Sequence, residues 1–248
     1  MSPTSRTKPD PDHAPPADTR SFAEQWSGIS KYLADVFAKP DPQLATLMSR
    51  AIAEGIPDIA VSPETGRFLS LLARMAGGLG GGGGARMIVE VGTLAGYSTI
   101  WLSRGLAPGG RIVTLELNPK HADFAQREFA RAGIAARVQI RRGPALESLT
   151  TMARTMPPAS VDMVFLDCVK TEYPEYFRIV RPMIRAGGLL VADNILSSGT
   201  WRIDDGPGTS PDRDAVDEFN HLVAADPAFE SIGVPIGNGI LVARRLGA

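Results

Sequence analysis

The segment Met87–Ser98, with the sequence MIVEVGTLAGYS, constrains the fold of this chain more than any other stretch. An apolar run, Met87–Val89, is followed by the acid Glu90, by a turn that contains Gly92 and Gly96, and by an apolar helical pattern. This order predicts a buried strand, a tight turn and a helix. The spacing E-x-G-x-x-x-G differs from the dinucleotide fingerprint G-x-G-x-x-G, so the turn does not predict a pyrophosphate-binding loop.

Taken alone, this turn has two interpretations. Its glycines serve either the packing of the strand against the helix or the close approach of a ligand to the backbone. The acid at the strand end, Glu90, suits a ligand that carries hydroxyl or ammonium groups rather than phosphates.

From Arg86 onward, predicted strands and helices alternate. The strands are apolar runs, as expected when helices cover both faces of a sheet, and the repeated units predict an α/β fold with a doubly wound, mostly parallel sheet. A hairpin across Gly237–Gly239 cannot continue this alternation, so one of its strands should run antiparallel and bring the sheet to seven strands. The predicted strands are 86–91, 111–117, 137–142, 161–167, 188–193, 229–236 and 240–245, and the predicted helices are 97–106, 119–132, 144–156, 173–185 and 214–225.

Everything from residue 21 to 248 is predicted to form one domain. Residues 1–20 are rich in Pro, Asp, Ser and Thr and predict a disordered tail. Helical patterns fill 21–76, and the core spans 85–248. Between them, residues 77–84 read GGLGGGGG, which is either a hinge or, as we favour, a tolerated loop insertion.

Composition excludes several classes of protein. The chain has 248 residues, a formal net charge of -1 and a pI of about 6.3, so it lacks the basic field that nucleic acid or an anionic membrane would require. Its apolar runs fall short of the roughly 18 residues of a membrane span, and the start of the chain lacks a secretory leader. The single cysteine, Cys168, excludes an internal disulfide and a cysteine-based zinc site. These features predict a cytoplasmic protein.

The carboxyl ends of the predicted strands carry the polar residues. In open α/β sheets, ligands bind at this edge. The first strand ends in Glu90 and Gly92, the second in Glu116, and the third in Gly143–Ala145. Burying a carboxylate at the end of an apolar strand costs free energy unless the carboxylate is paired or has a function in binding. Glu116 is therefore placed to hold a ribose diol, with a helix cap or a surface acid as the alternative.

The next two strands end in oxygen ligands. Asp167 follows the fourth strand, and Asp193 and Asn194 follow the fifth. Hard oxygen ligands favour Mg²⁺, with Mn²⁺ or Ca²⁺ also possible, although Asp-Asn is also a common turn pair. Lys170, three residues after Asp167, is either a base beside the cation or a solvated lysine.

Two histidines are assigned no functional role, and one tryptophan has two possible roles. His121 and His221 fall in predicted helices and are expected at the surface. Trp201, in the loop 197–212, either stacks on an aromatic acceptor or covers the core.

Together, these motifs resemble those of the cation-dependent O-methyltransferases, the group that includes catechol and caffeoyl-CoA O-methyltransferases and many bacterial relatives. The similarity runs from about Ile56 to Arg245. It is carried by VSPETGRFL (61–69), VEVGTLAGYS (89–98), VTLELNP (113–119), RRGPALESL (141–149), VDMVFLDCVKTEYPEYF (161–177), GGLLVADNIL (187–196) and VPIGNGILVARR (234–245).

The resemblance implies a Rossmann-like class I methyltransferase fold, S-adenosylmethionine as the methyl donor and a divalent cation. It implies Asp167, Asp193 and Asn194 as metal ligands and Lys170, with Asp167, as catalytic residues. It also implies a homodimer. The donor-binding residues implied by position are Val61, Glu90, Gly92, Thr93, Ser98, Glu116, Ala145 and Asp167, to which Tyr97 is added because of its place at the start of a helix.

The acceptor side departs from the resemblance. Val169 stands where many members carry a second carboxylate, and Ser197 and Ser198 replace a tryptophan and an asparagine of the plant acyl-CoA subgroup. These differences argue against a caffeoyl-CoA substrate. The sequence therefore predicts a metal-dependent O-methyltransferase for a small catechol-type aromatic molecule. The alternatives are a methyltransferase for a single hydroxyl or an amine, and a nucleoside-binding module without catalysis.

Overall fold

The computed structural model describes residues 22–39, 41–77 and 83–247. The predicted tail, 1–20, and most of the glycine-rich loop, 77–84, lie outside the described residues, so both remain predictions, as does the single-domain organisation. Within the described ranges, no helix combines the length and the apolar character needed to cross a bilayer.

The main sheet has seven strands in the order β3-β2-β1-β4-β5-β9-β8. The first five strands pair in parallel, whereas β9 runs antiparallel to both β5 and β8. This confirms the predicted doubly wound, Rossmann-like sheet with an antiparallel hairpin. The strands are β1 (Ala85–Val91), β2 (Leu106–Glu116), β3 (Val138–Arg142), β4 (Val161–Leu166), β5 (Ile184–Asp193), β8 (Phe229–Val234) and β9 (Ile240–Arg245), and a separate ribbon consists of β6 (Ser197–Ser198) and β7 (Trp201–Arg202).

Eight α-helices occupy the described residues. They are α1 (Phe22–Phe37), α2 (Pro42–Ala53), α3 (Pro63–Met75), α4 (Tyr97–Ser103), α5 (Pro119–Arg131), α6 (Ala145–Thr155), α7 (Tyr173–Val180) and α8 (Pro211–Ala225), and short 3₁₀ turns span Ala135–Arg137 and Lys170–Glu172.

Both faces of the sheet are covered, and the strands alternate between two hydrophobic clusters. In β1, Ile88 packs with residues of α2, α3, α4 and α5, whereas Val89 packs with residues of α6, α7 and α8. Both side chains are fully buried. This arrangement explains why the central strands β1, β4 and β5 consist mostly of apolar residues rather than alternating between apolar and polar residues.

One buried carboxylate, Asp162, holds the start of the sheet together. Its Oδ2 accepts hydrogen bonds from the backbone amides of Arg86 and Met87, at 2.7 and 2.8 Å. Its Oδ1 pairs with Nε of Arg185 at 2.5 Å. A charge in a buried strand is tolerated here because it is fully paired.

Two predicted helices were too long, and the strands that follow them were too short. The helix predicted over 97–106 ends at Ser103, and the helix predicted over 173–185 ends at Val180. The strands β2 and β5 begin at Leu106 and Ile184, and a register irregularity follows each start. Glycines in APGG (107–110) and AGG (186–188) interrupt the apolar pattern at these irregularities. The sequence pattern therefore predicts only the later half of each strand.

Candidate active site

A cavity of about 880 Å³ opens at the carboxyl ends of β1, β2, β4 and β5. All predicted site residues except Glu90 line it, namely Val61, Gly92, Thr93, Tyr97, Ser98, Glu116, Ala145, Asp167, Lys170, Asp193 and Asn194. A second, more open cleft of about 820 Å³ lies between α7 and α8 and contains none of these residues.

Glu90 lies beneath the cavity rather than on its wall. Its side chain is fully buried, and its two oxygens accept hydrogen bonds from Ser98 Oγ, at 2.7 Å, and from Thr99 Oγ1. Burial raises the pKa of Glu90 to about 7, although these two hydrogen bonds work in the opposite direction. Glu90 therefore acts on the wall of the cavity through Ser98, which does line it.

The turn after β1 packs directly against the end of β4, and Gly92 makes this approach possible. Gly92 has a φ of 98°, and a Cβ at this position would lie 2.0 Å from the carbonyl oxygen of Asp167. The amide of Asp167 in turn donates to the carbonyl of Val91 at 2.9 Å. The glycine thus brings the first strand end and the first predicted metal ligand to the same wall of the cavity.

Glu116 organises the neighbouring turn. Its Oε2 accepts hydrogen bonds from the amides of Thr93, at 3.1 Å, and Leu94, at 2.8 Å, and its Oε1 accepts one from the amide of Asn118 at 2.9 Å. The side chain is only 8% exposed and lines the cavity. It does not cap α5, because the N-cap is Asn118. These bonds fix the carboxylate at the cavity wall, where it can accept further hydrogen bonds from a diol.

His121 lies at the site, although a surface position was predicted. It lines the cavity, and its Nδ1 is 3.5 Å from Glu116 Oε1. The first turn of α5 follows the strand end so closely that its third residue returns to Glu116. The signal for this contact in the sequence is the spacing of five residues between Glu116 and His121. The other predicted surface histidine, His221, is exposed as expected.

Asp167, Asp193 and Asn194 come together at the ends of β4 and β5, as predicted from the topology. Asp193 is 7% exposed, and burial, with a smaller contribution from the charge of Asp167, raises its pKa above the ordinary range. Its Oδ1 accepts a hydrogen bond from the amide of Asn194 at 2.8 Å. Asn194 has a φ of 58°, a left-handed conformation that asparagine tolerates better than most residues.

This trio fits a hard divalent cation. The described residues contain no cluster of three or more His, Cys, Asp or Glu side chains that could hold a metal ion, so the third protein donor at this site would be the amide oxygen of Asn194. Two neighbouring carboxylates and an amide oxygen are the donors that Mg²⁺ and Mn²⁺ accept. The pKa of Asp193 is raised mainly by burial and to a smaller extent by the charge of Asp167, and a bound cation would favour the charged form of both carboxylates.

Lys170 is held against this cluster. Its Nζ is 3.2 Å from Asp167 Oδ1 and 2.7 Å from the hydroxyl of Tyr173. The residue is 9% exposed and lines the cavity, which excludes the interpretation of a solvated lysine. A buried amine in contact with a carboxylate and a cavity is a candidate acid or base.

The C-terminal hairpin supports the loop after Asn194. The amides of Ile195 and Leu196 donate to the carbonyls of Gly239 and Asn238, at 3.1 and 3.0 Å. Asn238 lines the cavity as well. No local motif indicates this contribution, because it arises from the insertion of β9 beside β5.

The remaining wall is less polar. Val169 is 54% exposed and lines the cavity beside Cys168, whose pKa burial raises to about 12. Ser198 and Gly199 form part of the same wall. Trp201, in contrast, is 3% exposed and packs in the hydrophobic cluster with α7 and α8. Of its two interpretations, the structure supports the one in which it covers the core.

Comparisons with known proteins agree with this geometry. A family profile described as O-methyltransferase matches residues 35–246. A catechol O-methyltransferase of Niastella koreensis is 36% identical over 223 residues, which cover 88% of this chain and 96% of that protein.

Solved structures give the same result. An O-methyltransferase from Bacillus cereus in complex with SAH superposes with a TM-score of 0.80 at 35% identity, covering 90% of this chain and 99% of that one. The O-methyltransferase TomG from Streptomyces achromogenes, involved in tomaymycin synthesis and solved with SAM, has a TM-score of 0.80 at 32% identity and covers 92% and 100% of the two chains.

Proposed function

Since the chain belongs to the O-methyltransferase family, we propose that it transfers the methyl group of S-adenosylmethionine to a hydroxyl of a vicinal-dihydroxy aromatic molecule, with the help of a divalent cation. The family match confirms the resemblance that the sequence motifs indicate. The donor is supported by related structures solved with SAM and SAH. The observation that carries the proposal is the gathering of four strand ends around one cavity.

The donor half of the cavity suits a nucleoside. Glu116 is fixed by three backbone amides and can accept both hydroxyls of a ribose. The start of α6 at Ala145 and the turn at Gly92 and Thr93 add a largely uncharged wall. We assign the remaining predicted residues, Val61, Tyr97 and Ser98, to the same half, and Glu90 acts from beneath through Ser98.

The acceptor half lies around Asp167, Asp193 and Asn194. These three side chains would hold Mg²⁺, or Mn²⁺ or Ca²⁺ in its place. A bound cation lowers the pKa of a phenolic hydroxyl and stabilises the oxyanion. The exposed Val169 offers an apolar contact for an aromatic ring and no charge for a cationic group.

Lys170 then accepts the proton of the reacting hydroxyl. The freed oxygen forms a bond to the methyl carbon while the bond from that carbon to the sulfonium breaks, leaving S-adenosylhomocysteine and an O-methylated product. Holding the two reactants in one cavity supplies most of the acceleration, because a bimolecular encounter becomes an oriented unimolecular step.

The test is mass spectrometry of a pooled set of dihydroxy aromatics, monohydroxy aromatics and amines incubated with the protein and S-adenosylmethionine. One arm contains Mg²⁺ and the other contains excess chelator. A product heavier by one methylene, formed only from dihydroxy compounds and only with Mg²⁺, is expected. Equal product in the chelator arm would refute the role of the cation, and product from amines or single hydroxyls would establish the alternative acceptor class.

Variants separate the acceptor half from the donor half. Asp193→Ala and Asn194→Ala should each lower turnover at least about 100-fold, while the affinity for S-adenosylmethionine stays within about threefold. The matched control is Asp123→Asn, an exposed carboxylate on α5 that pairs with Arg142. Unchanged turnover in both site variants would contradict the assignment of the metal ligands.

We also propose a homodimer that uses the N-terminal helix. On α1, Ile29, Tyr32, Val36 and Phe37 are each about half exposed or more, which is unusual for one apolar face of a helix. Light scattering coupled to gel filtration should give twice the monomer mass of 26.4 kDa. Val36→Asp should shift the equilibrium toward the monomer, and a monomeric wild type would refute the proposal.

A further inference from the structure

A buried phenol, Tyr173, lies directly beneath Lys170. Its hydroxyl is 2.7 Å from Lys170 Nζ, 3.0 Å from the carbonyl oxygen of Leu166 and 3.1 Å from the carbonyl oxygen of Asp193. The ring is fully buried and packs edge-on against Phe219 with centroids 5.2 Å apart. The side chain therefore has a fixed position between the ends of β4 and β5.

The donors and acceptors present at this site fix the direction of each hydrogen bond. A phenol carries one proton and can donate it to one carbonyl at a time, either that of Leu166 or that of Asp193. Both of these oxygens only accept, so the contact with Lys170 is one in which the amine donates and the phenol oxygen accepts.

The amine of Lys170 then has one free direction. One N–H points to Tyr173 and another to Asp167 Oδ1, at 3.2 Å. The nitrogen is tetrahedral, and Cε occupies a third direction. The fourth is left for the cavity that Lys170 lines. Lysine has a flexible four-carbon stem and sets no such direction by itself.

We propose that Tyr173 is a positioning residue that aims the amine of Lys170 at the acceptor hydroxyl. Its hydroxyl lies within hydrogen-bonding distance of the carbonyls of Leu166 and Asp193 and donates to one of them at a time. The inference rests on the proposed function, in which Lys170 accepts the proton.

The first test is Tyr173→Phe, which keeps the ring and its packing and removes only the hydroxyl. We expect kcat to fall about 10-fold to 100-fold, with KM for the acceptor and the affinity for S-adenosylmethionine within about threefold. The melting temperature should fall by only about 2–4 °C. Thr155→Val removes a hydroxyl from an exposed position at the end of α6 and should leave kcat unchanged.

The second test separates positioning from a general structural role by a double-mutant cycle. In a Lys170→Met background, adding Tyr173→Phe should lower the residual turnover less than about twofold, because the group that Tyr173 positions is already absent. A loss in this background as large as in the wild type would overturn the inference. So would an unchanged kcat in Tyr173→Phe alone.

The third test does not depend on activity. In crystal structures of the two proteins, the amine of Lys170 should be ordered in the wild type and spread over several rotamers in Tyr173→Phe. An amine at the same place in both would overturn the inference. A wild type without methyltransferase activity on any acceptor would refute the proposed function instead, so the two failures are distinguishable.

Discussion

The buried carboxyl group of Glu90 makes the stability of the fold depend on pH. It sits beneath the turn after β1, fully buried, with hydrogen bonds from Ser98 and Thr99. Replacing Glu90 with Gln keeps the shape of the side chain and removes its ionisation. The hydroxyls of Ser98 and Thr99 can rotate to accept from the new amide, so the contacts need not be lost.

The magnitude follows from the pKa of Glu90, which burial raises from 4.5 to about 7. Below pH 4.5 the carboxyl is protonated in both the unfolded and the folded protein. Between 4.5 and 7 the unfolded chain loses its proton while the folded protein retains it, so stability declines as pH rises. Between pH 5 and pH 8, the raised pKa of this group lowers the free energy of unfolding by about 2.5 kcal/mol.

The assay is urea unfolding of the ligand-free protein, followed by tryptophan fluorescence at pH 5, 6, 7 and 8. The free energy of unfolding of Glu90→Gln, minus that of the wild type, should rise by about 2.5 kcal/mol across this range. The matched control is Glu230→Gln, an exposed glutamate on the edge strand β8. Its profile should run parallel to that of the wild type. A parallel profile for Glu90→Gln as well would refute the reasoning.

Three further substitutions test the packing and the donor site. Gly66→Ala should cost about 1–3 kcal/mol in urea unfolding, since its Cβ would lie 2.2 Å from Cδ1 of Trp101. Asp162→Ala should lower the free energy of unfolding by about 3–5 kcal/mol in the same assay, because it leaves Arg185 and two backbone amides without their partner. Glu116→Ala should weaken the binding of S-adenosylmethionine at least about tenfold in calorimetry.

The first two of these predictions have matched control variants. Gly206→Ala places a methyl group where nothing lies within 4 Å, so it should leave the unfolding free energy unchanged. Asp162→Asn keeps one acceptor oxygen and should lower the free energy of unfolding by less than Asp162→Ala does. The Glu116 assignment would fail if donor affinity stayed within twofold, or if the melting temperature fell so far that the loss of binding reflected unfolding.

The sheet could be predicted from the sequence because its signals are local. A strand such as β4, with every residue buried, reads as an apolar run, and the turn at Gly237–Gly239 marks the hairpin. The starts of β2 and β5 were missed for the same reason. Glycines and a proline interrupt the apolar pattern there, and pairing with a neighbouring strand restores the extended backbone.

The candidate site was predictable only as far as it follows from topology. Because the carboxyl ends of parallel strands meet at one edge, Glu116, Asp167 and Asp193 could be placed together. The position of Glu90 beneath the cavity depends on the direction of its side chain within β1, because side-chain direction alternates with each residue of a strand. The contacts of Tyr173 and of Asn238 depend on elements distant in the chain, and no spacing indicates them.

The antiparallel entry of β9 beside β5 has a consequence for the order in which the protein is made. β5 leaves the ribosome with its apolar residues Leu189–Ala192 unpaired on one side, and it stays so until Ile240–Arg245 arrives. An unpaired strand edge of this kind is a template for association with other chains. Asp193 is the last residue of that edge, so the nascent protein acquires a complete cavity only when β9 has been synthesised.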